Sequence, residues 1–191
     1  MILASQSAAR AALLRAAGLT FEQRPSRIDE GAIKQAMHES GPDACALTLA
    51  GLKAARIRSP DELVIGADQL LVCGDEWFDK PPDQAAARAQ LLRLRGCEHT
   101  LVTAVVCHRA GNEIWRHVAR PTLRMRQFSE AFLDRYLVAE GDAVLSSVGA
   151  YRLEGLGIQL FDRIEGEYAA ILGLPLLALL GFLRQHGALE A

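Results

Sequence analysis

Leu63-Val64-Ile65-Gly66-Ala67-Asp68-Gln69 decides the fold class. Five of its first residues are apolar or glycine, so it reads as a buried strand of a sheet covered on both faces. On its N-terminal side, residues 43–58 repeat apolar positions at Leu47, Leu49–Ala50 and Ala54, the spacing of a helix. On its C-terminal side, Leu70 to Cys73 either continues the strand or hairpins from it through Gly74-Asp75. A buried strand fed by a helix predicts an α/β architecture.

The same alternation extends to both ends. Ile2-Leu3-Ala4 reads as a short strand passing through Ser5-Gln6-Ser7 into a helix over 8–17, with Ser7 as N-cap and Gly18 as its stop. Residues 20–23 predict a second strand and 26–31 a polar turn. Asp83 after Pro81-Pro82 can cap a helix through Leu94. Residues 100–108 and 113–126 predict two long strands joined around Ala110-Gly111-Asn112. Ser129 caps a helix over 130–140, residues 149–173 are punctuated by glycine and resist assignment, and a last helix covers about 174–186. No repeat, low-complexity run or linker interrupts the 191 residues, which predicts one domain over 1–191 with a mixed sheet.

Composition excludes several classes. Twenty-one basic against 23 acidic side chains leave a net charge of −2, with no general basic field for nucleic acid. Arg124 and Arg126 form a compact basic cluster without an aromatic stacking series. The most apolar segment, residues 171–183, is too short for a bilayer and contains Gly173, Pro175 and Gly181. The first residues lack the basic region of a signal peptide. Four cysteines without a CxxC pair, three inside apolar runs, predict buried thiols in a reducing cytoplasm. The basic residues comprise 18 arginines and only three lysines, Lys34, Lys53 and Lys80. A GC-rich genome explains the bias, yet it draws attention to each remaining lysine.

Several groups could carry chemistry. Leu3 to Arg10 turns a strand into a helix through two serines, and free N–H groups at a helix N-terminus attract anions. Arg10 in that first turn opposes the helix dipole unless a negative ligand is present. An ordinary cap with a solvent-facing arginine is the plainer alternative. Asp68, placed at the C-terminal end of its strand, could hold a divalent cation, orient water or accept its proton; it could equally form a turn. Asp29-Glu30, otherwise a solvated turn, could complete a magnesium site with Asp68. Lys53 and Lys80 suit phosphate oxygens, whereas Lys34 is expected on the surface. The stretch from Gly149 to Ile158 frames Tyr151, Arg152 and Glu154 with glycines, suggesting a backbone that approaches something closely. The Walker A pattern GxxxxGK[ST] and the fingerprint GxGxxG are both absent.

In order, these segments resemble the Maf-like nucleoside triphosphate pyrophosphatases over nearly the whole chain. The matching stretches are Leu3-Ala4-Ser5-x-Ser7 with Arg10, Ile28-Asp29-Glu30, Lys53-Ala54, Gly66-Ala67-Asp68, Lys80-Pro81, Gly96 with His99, and Thr103-Ala104-Val105. They continue through Gly149-Ala150-Tyr151, Glu154-Gly155-x-Gly157, Gly166 with Tyr168, and Gly173-Leu174-Pro175-Leu176. The resemblance implies a Maf/ITPase-like α/β fold with an elongated mixed sheet flanked by helices, two lobes around a central cleft, and a homodimer. It further implies metal-dependent hydrolysis of a nucleoside triphosphate to the monophosphate and pyrophosphate, with Mg or Mn as cofactor. On that basis Asp68 is the catalytic carboxylate, Glu30 and Asp68 hold the metal, and Ser5, Arg10, Lys53 and Lys80 bind the phosphates.

The family opening Ser-Pro-Arg-Arg is Ser7-Ala8-Ala9-Arg10 here, so the first arginine is missing at Ala9. Members acting on dTTP and UTP resemble one another in a threonine after the aspartate and a glutamine before Gly-x-Gly. This chain has Gln69 and Glu154, similar to the branch acting on 7-methyl-GTP. A carboxylate accepts hydrogen bonds from guanine N1–H and its exocyclic amine, whereas uracil and thymine offer one such donor, at N3. Ala9, Gln69 and Glu154 are therefore the expected base-specificity positions. The alternatives are a dTTP/UTP pyrophosphatase and a non-catalytic nucleotide sensor in cell division.

Overall fold

The structure is a computed structural model that describes residues 1–190; Ala191, the last residue of the expected domain, lies outside the described residues. Strands and helices follow in the order β1 (Ile2–Leu3), α1 (Ala8–Ala16), β2 (Glu22–Gln23), α2 (Glu30–Met37), α3 (Pro42–Arg56), β3 (Leu63–Cys73), β4 (Glu76–Phe78) and α4 (Gln84–Leu94). The order continues with β5 (Glu98–Arg109), β6 (Asn112–Ala119), β7 (Thr122–Met125), α5 (Glu130–Glu140), β8 (Phe161–Glu165), α6 (Tyr168–Ile171) and α7 (Leu176–Gln185). The expected α/β class with a mixed sheet flanked by helices is what the chain adopts, since parallel and antiparallel pairings coexist.

The described residues group into two compact units, 1–69 with 102–119 and 167–190, and 70–101 with 120–166. In the first unit, β1 pairs in parallel with β2 and with β3, and the second half of β5 pairs antiparallel with β6. Alternation along β3 sends successive side chains to opposite faces. Leu63, Ile65 and Ala67 pack with Leu14 of α1 and with Leu179 and Phe182 of α7. Val64 packs instead with Ile2, Ala4 and Ala54 of α3. Gly66 shares the Val64 face, and a Cβ there would lie 2.1 Å from the Ala50 carbonyl oxygen. Glycine is what lets α3 lie directly on the strand.

In the second unit, the end of β3 pairs antiparallel with β4, and β7 lies between the start of β5 and β8, antiparallel to both. Gly149 takes φ +77°, and a Cβ on it would meet Leu71 Cδ1 at 2.4 Å, the close approach expected of this glycine-framed stretch. The segment that resisted assignment contains short 3-10 turns at Leu156–Leu160, then β8 and α6.

Four local expectations are corrected. The long strand over 113–126 breaks at Arg120-Pro121 into β6 and β7, since proline lacks the N–H a central ladder needs. The polar turn over 26–31 stops short: Asp29 accepts a hydrogen bond from Ala32 N, caps α2, and makes Glu30 its first residue. Lys34, expected on the surface, is half-buried in that helix. Of the cysteines, all free, Cys45 and Cys107 are buried but Cys73 and Cys97 are half-buried. Among the described residues, no helix is long and apolar enough to cross a membrane.

Candidate active site

Asp68 is not at a strand end, as its place after the apolar run suggested. It lies in the middle of β3, because the strand continues through Gln69 to Cys73. Period-2 alternation puts it on the face of Val64 and Gly66, toward α3. The buried stripe of α3 runs through Ala46, Leu49, Ala50 and Lys53, so a lysine occupies a core position one turn beyond the Ala50–Gly66 contact. Lys53 Nζ donates to Asp68 Oδ1 at 2.5 Å and pairs with Glu30 Oε1 at 2.7 Å. Lys53 is 6% and Asp68 3% exposed, so both charges are withdrawn from water and neutralise one another. Asp68 Oδ2 is buried and has no hydrogen-bond partner.

The serine turn supplies a second cationic group. Ser7 caps α1 by accepting from Arg10 N, which orients the first helical turn. Arg10 is buried rather than solvent-facing: its Nε donates to Gly173 O at 2.7 Å and its Nη1 to Ser5 Oγ at 3.2 Å. Burial pushes the Arg10 guanidinium below its ordinary pKa, while the negative charges of Asp68 and Glu30 pull it back up. Gln23 Nε2 donates to the carbonyls of Ser5 and Ser7, so β2 holds the turn from its other side. Ser5, Arg10, Glu30, Lys53 and Asp68 thus form one polar group within the first unit, assembled from α1, α2, α3 and β3.

Among the other expected positions, Ala9 is half-buried in α1. Gln69 follows Asp68 on β3 and faces the opposite side of the strand. Its Nε2 donates to Thr103 Oγ1 at 2.8 Å, Ala170 O at 3.0 Å and Ile171 O at 3.1 Å. Lys80 and Glu154 belong to the second unit. Lys80 is exposed in the stretch after β4, and the Glu154 carboxylate is 3.5 Å from Arg152 Nε. The sequence reading assigned no role to Thr103 or to the Gly173 carbonyl. Gly173-Leu174-Pro175 did mark a chain turn, but a backbone acceptor leaves no signature in residue type.

The chemistry available is that of anion binding and proton transfer. Two buried cations and a serine hydroxyl suit phosphate oxygens, and a buried carboxylate with one unoccupied oxygen can receive a proton or ligate a hard cation.

Comparison with known proteins agrees with that chemistry. A nucleoside triphosphate pyrophosphatase from Granulibacter bethesdensis is 59% identical over 99% of this chain and 98% of its own length. One from Paramagnetospirillum magneticum is 53% identical over 98% and 99%, respectively. A 7-methyl-GTP pyrophosphatase from Rhizobium johnstonii is 48% identical over 100% of this chain and 98% of its own. The profile of the Maf family, described as Maf-like protein, matches residues 1–186. With this match spanning every residue that builds the site, the chain belongs to the Maf family.

Proposed function

We propose that this protein is an enzyme that hydrolyses a nucleoside triphosphate to the nucleoside monophosphate and pyrophosphate. The observation that carries the reading is the buried Lys53–Asp68 pair with the half-exposed Glu30 beside it, in which Lys53 fixes one Asp68 oxygen and leaves the other unpartnered. Full-length relatives named nucleoside triphosphate pyrophosphatase support it.

Water attacks the α-phosphorus, the bond from that phosphorus to the bridging oxygen breaks, and pyrophosphate leaves. Asp68 Oδ2 is the oxygen left to act on the water, by taking its proton or, when it holds a cation, by orienting the water; the Lys53 contact to Oδ1 keeps the carboxylate in place for either. Arg10, set by Gly173 O and Ser5 Oγ, offers its guanidinium to the phosphates; Lys53 and Lys80 add ammonium charges. A triphosphate carries about four negative charges, so its hydrolysis depends on positioning and charge neutralisation.

A divalent cation fits this donor set. Asp68 Oδ2 and the Glu30 carboxylate are hard oxygen donors of the kind that Mg and Mn prefer. Among the described residues, no three His, Cys, Asp or Glu side chains gather to hold a metal by themselves. Substrate phosphates would complete the coordination, as is usual for magnesium. Bound there, the cation supplies charge neutralisation at the phosphates.

For the base, 7-methyl-GTP is the preferred substrate. The Glu154 carboxylate suits the donors of guanine and the positive charge of its N7-methylated ring, and relatives named 7-methyl-GTP pyrophosphatase align over the whole chain. A dTTP/UTP pyrophosphatase is the second reading. Residence in the cytoplasm as a homodimer completes the proposal, with four free cysteines supporting a reducing compartment.

Asp68→Asn tests the reaction. Asparagine keeps the shape but has no carboxylate to take a proton, so pyrophosphate release falls by at least about a hundredfold, the lower scale of general-base contributions. Circular dichroism should show an unchanged fold. Full activity in a folded Asp68→Asn variant overturns the assignment.

A further inference from the structure

Gln69 immediately follows the proposed catalytic carboxylate, yet its amide nitrogen is already committed within the first unit. It donates to Thr103 Oγ1, Ala170 O and Ile171 O, at 2.8, 3.0 and 3.1 Å. Thr103, on β5 and wholly buried, donates its own hydroxyl proton to Ala170 O at 3.0 Å. Its oxygen therefore accepts from Gln69 and donates onward, which closes a small ring of hydrogen bonds around the carbonyls that end α6. Gly173 lies two residues past Ile171, and its carbonyl accepts from Arg10 Nε at 2.7 Å. Leu174 then enters the core of the first unit with no exposed surface, which anchors the far side of the turn.

We infer that Gln69 and Thr103 are positioning residues: they clamp the Ala170–Gly173 turn, and that turn sets Arg10 against Ser5 for the substrate phosphates. The inference rests on the proposed function and deepens it by giving Gln69 a role on the phosphate side rather than in reading the base. Three features favour the clamp. The two N–H groups of the Gln69 amide are shared among three acceptors, so neither is left to donate to a base. Gln69 faces away from Asp68 on the strand. The Arg10 guanidinium, lowered by burial, depends on fixed partners for its place, and Gly173 O is the nearest of them.

Inorganic triphosphate separates the two roles, because it carries phosphates and no base. Calorimetric titration with magnesium present compares wild type, Thr103→Val, Thr103→Ser, Arg10→Ala and the Thr103→Val/Arg10→Ala double variant. Thr103→Val removes both hydrogen bonds at nearly constant volume, and affinity should fall about tenfold, the scale of one displaced buried hydrogen bond. Thr103→Ser, which keeps the hydroxyl, should restore it. In the Arg10→Ala background, Thr103→Val should cause no further loss, because its effect passes through Arg10. If Thr103→Val does not fold, Gln69→Asn carries the same expectation, since its amide is one methylene too short for the carbonyls. Unchanged triphosphate affinity together with altered discrimination between UTP and 7-methyl-GTP would make Gln69 a base reader and overturn the clamp. Losses that add in the double variant overturn it as well. A wild type that binds no triphosphate and releases no pyrophosphate overturns the functional reading itself; a wild type that does both, with Thr103→Val unaltered, overturns this inference alone.

Discussion

Lys53 shows how a single residue can sit against the grain of its element for a chemical reason. It occupies the buried stripe of α3, where an unpaired ammonium would cost several kcal/mol. Two carboxylates offset that cost, and the same contact aims Asp68. The scarcity of lysine in the sequence pointed to this position without giving its partner. Contact between Lys53 and Asp68 joins residues 15 apart, which becomes visible only once α3 is laid along β3. Glu154 is the residue on which the proposed base preference turns. Its side chain is 37% exposed and close to Arg152, so it is accessible to a ligand while remaining oriented. Glu154→Gln removes the negative charge but keeps the length. It should lower kcat/KM for 7-methyl-GTP about tenfold, the scale of a charge-assisted hydrogen bond, and leave UTP nearly unchanged. Equal losses on steady-state assays with both nucleotides would remove the guanine argument.

At the scale of elements, the site depends on how closely α3 can approach β3. A methyl group at residue 66 would collide with the Ala50 carbonyl oxygen and the Ala54 backbone nitrogen, neither of which can rotate away. Gly66→Ala should therefore push α3 outward, destabilise the fold by about 1–3 kcal/mol as overpacking does, and reduce activity by moving Lys53. Thermal denaturation and pyrophosphate assays on this variant check both effects; unchanged values in both would refute the packing account. The sequence was most readable where one element carries its own signal. Ser7, Asp83 and Ser129 cap helices as their positions suggested, each accepting from the third residue on. It was least readable where tertiary partners decide. Asp68 looked like a strand terminus because a carboxylate normally ends an apolar run, and only the buried Lys53 makes it tolerable in mid-strand. Glu30 looked like a turn because it follows Asp29 in a polar stretch, and the apolar face of α2, at Ile33 and Met37, is short and only half-buried. Arg10 was expected to need a negative ligand; its resting partners, Ser5 Oγ and Gly173 O, are neutral acceptors, and the second lies 163 residues away.

Across the whole molecule, the balance of charge matters less than where ionisable groups are withdrawn from water. A net charge of −2 coexists with a locally cationic group at the serine turn. Elsewhere, burial holds His99 at a pKa of about 4, with its Nε2 against the Tyr151 hydroxyl at 2.9 Å. The native protein therefore keeps this imidazole neutral where the unfolded chain, near 6.5, takes up a proton. Stability is unaffected above about pH 6.5 and declines as pH falls toward 4. The full difference is about 3 kcal/mol for this group. Burial lowers His108 as well, adding loss of the same sign. Urea denaturation from pH 7 to pH 4 should show the decline, and His99→Gln should flatten it; a slope unchanged by the substitution would exclude His99 as its source.

The central claim concerns which bond of the triphosphate breaks, and product analysis tests it most directly. Purified protein with magnesium is incubated with 7-methyl-GTP, GTP, UTP and dTTP, and nucleotide and phosphate products are quantified by anion-exchange chromatography. The account predicts equimolar nucleoside monophosphate and pyrophosphate, with 7-methyl-GTP turned over most efficiently. Nucleoside diphosphate with inorganic phosphate, or tight nucleotide binding with no turnover, would contradict it.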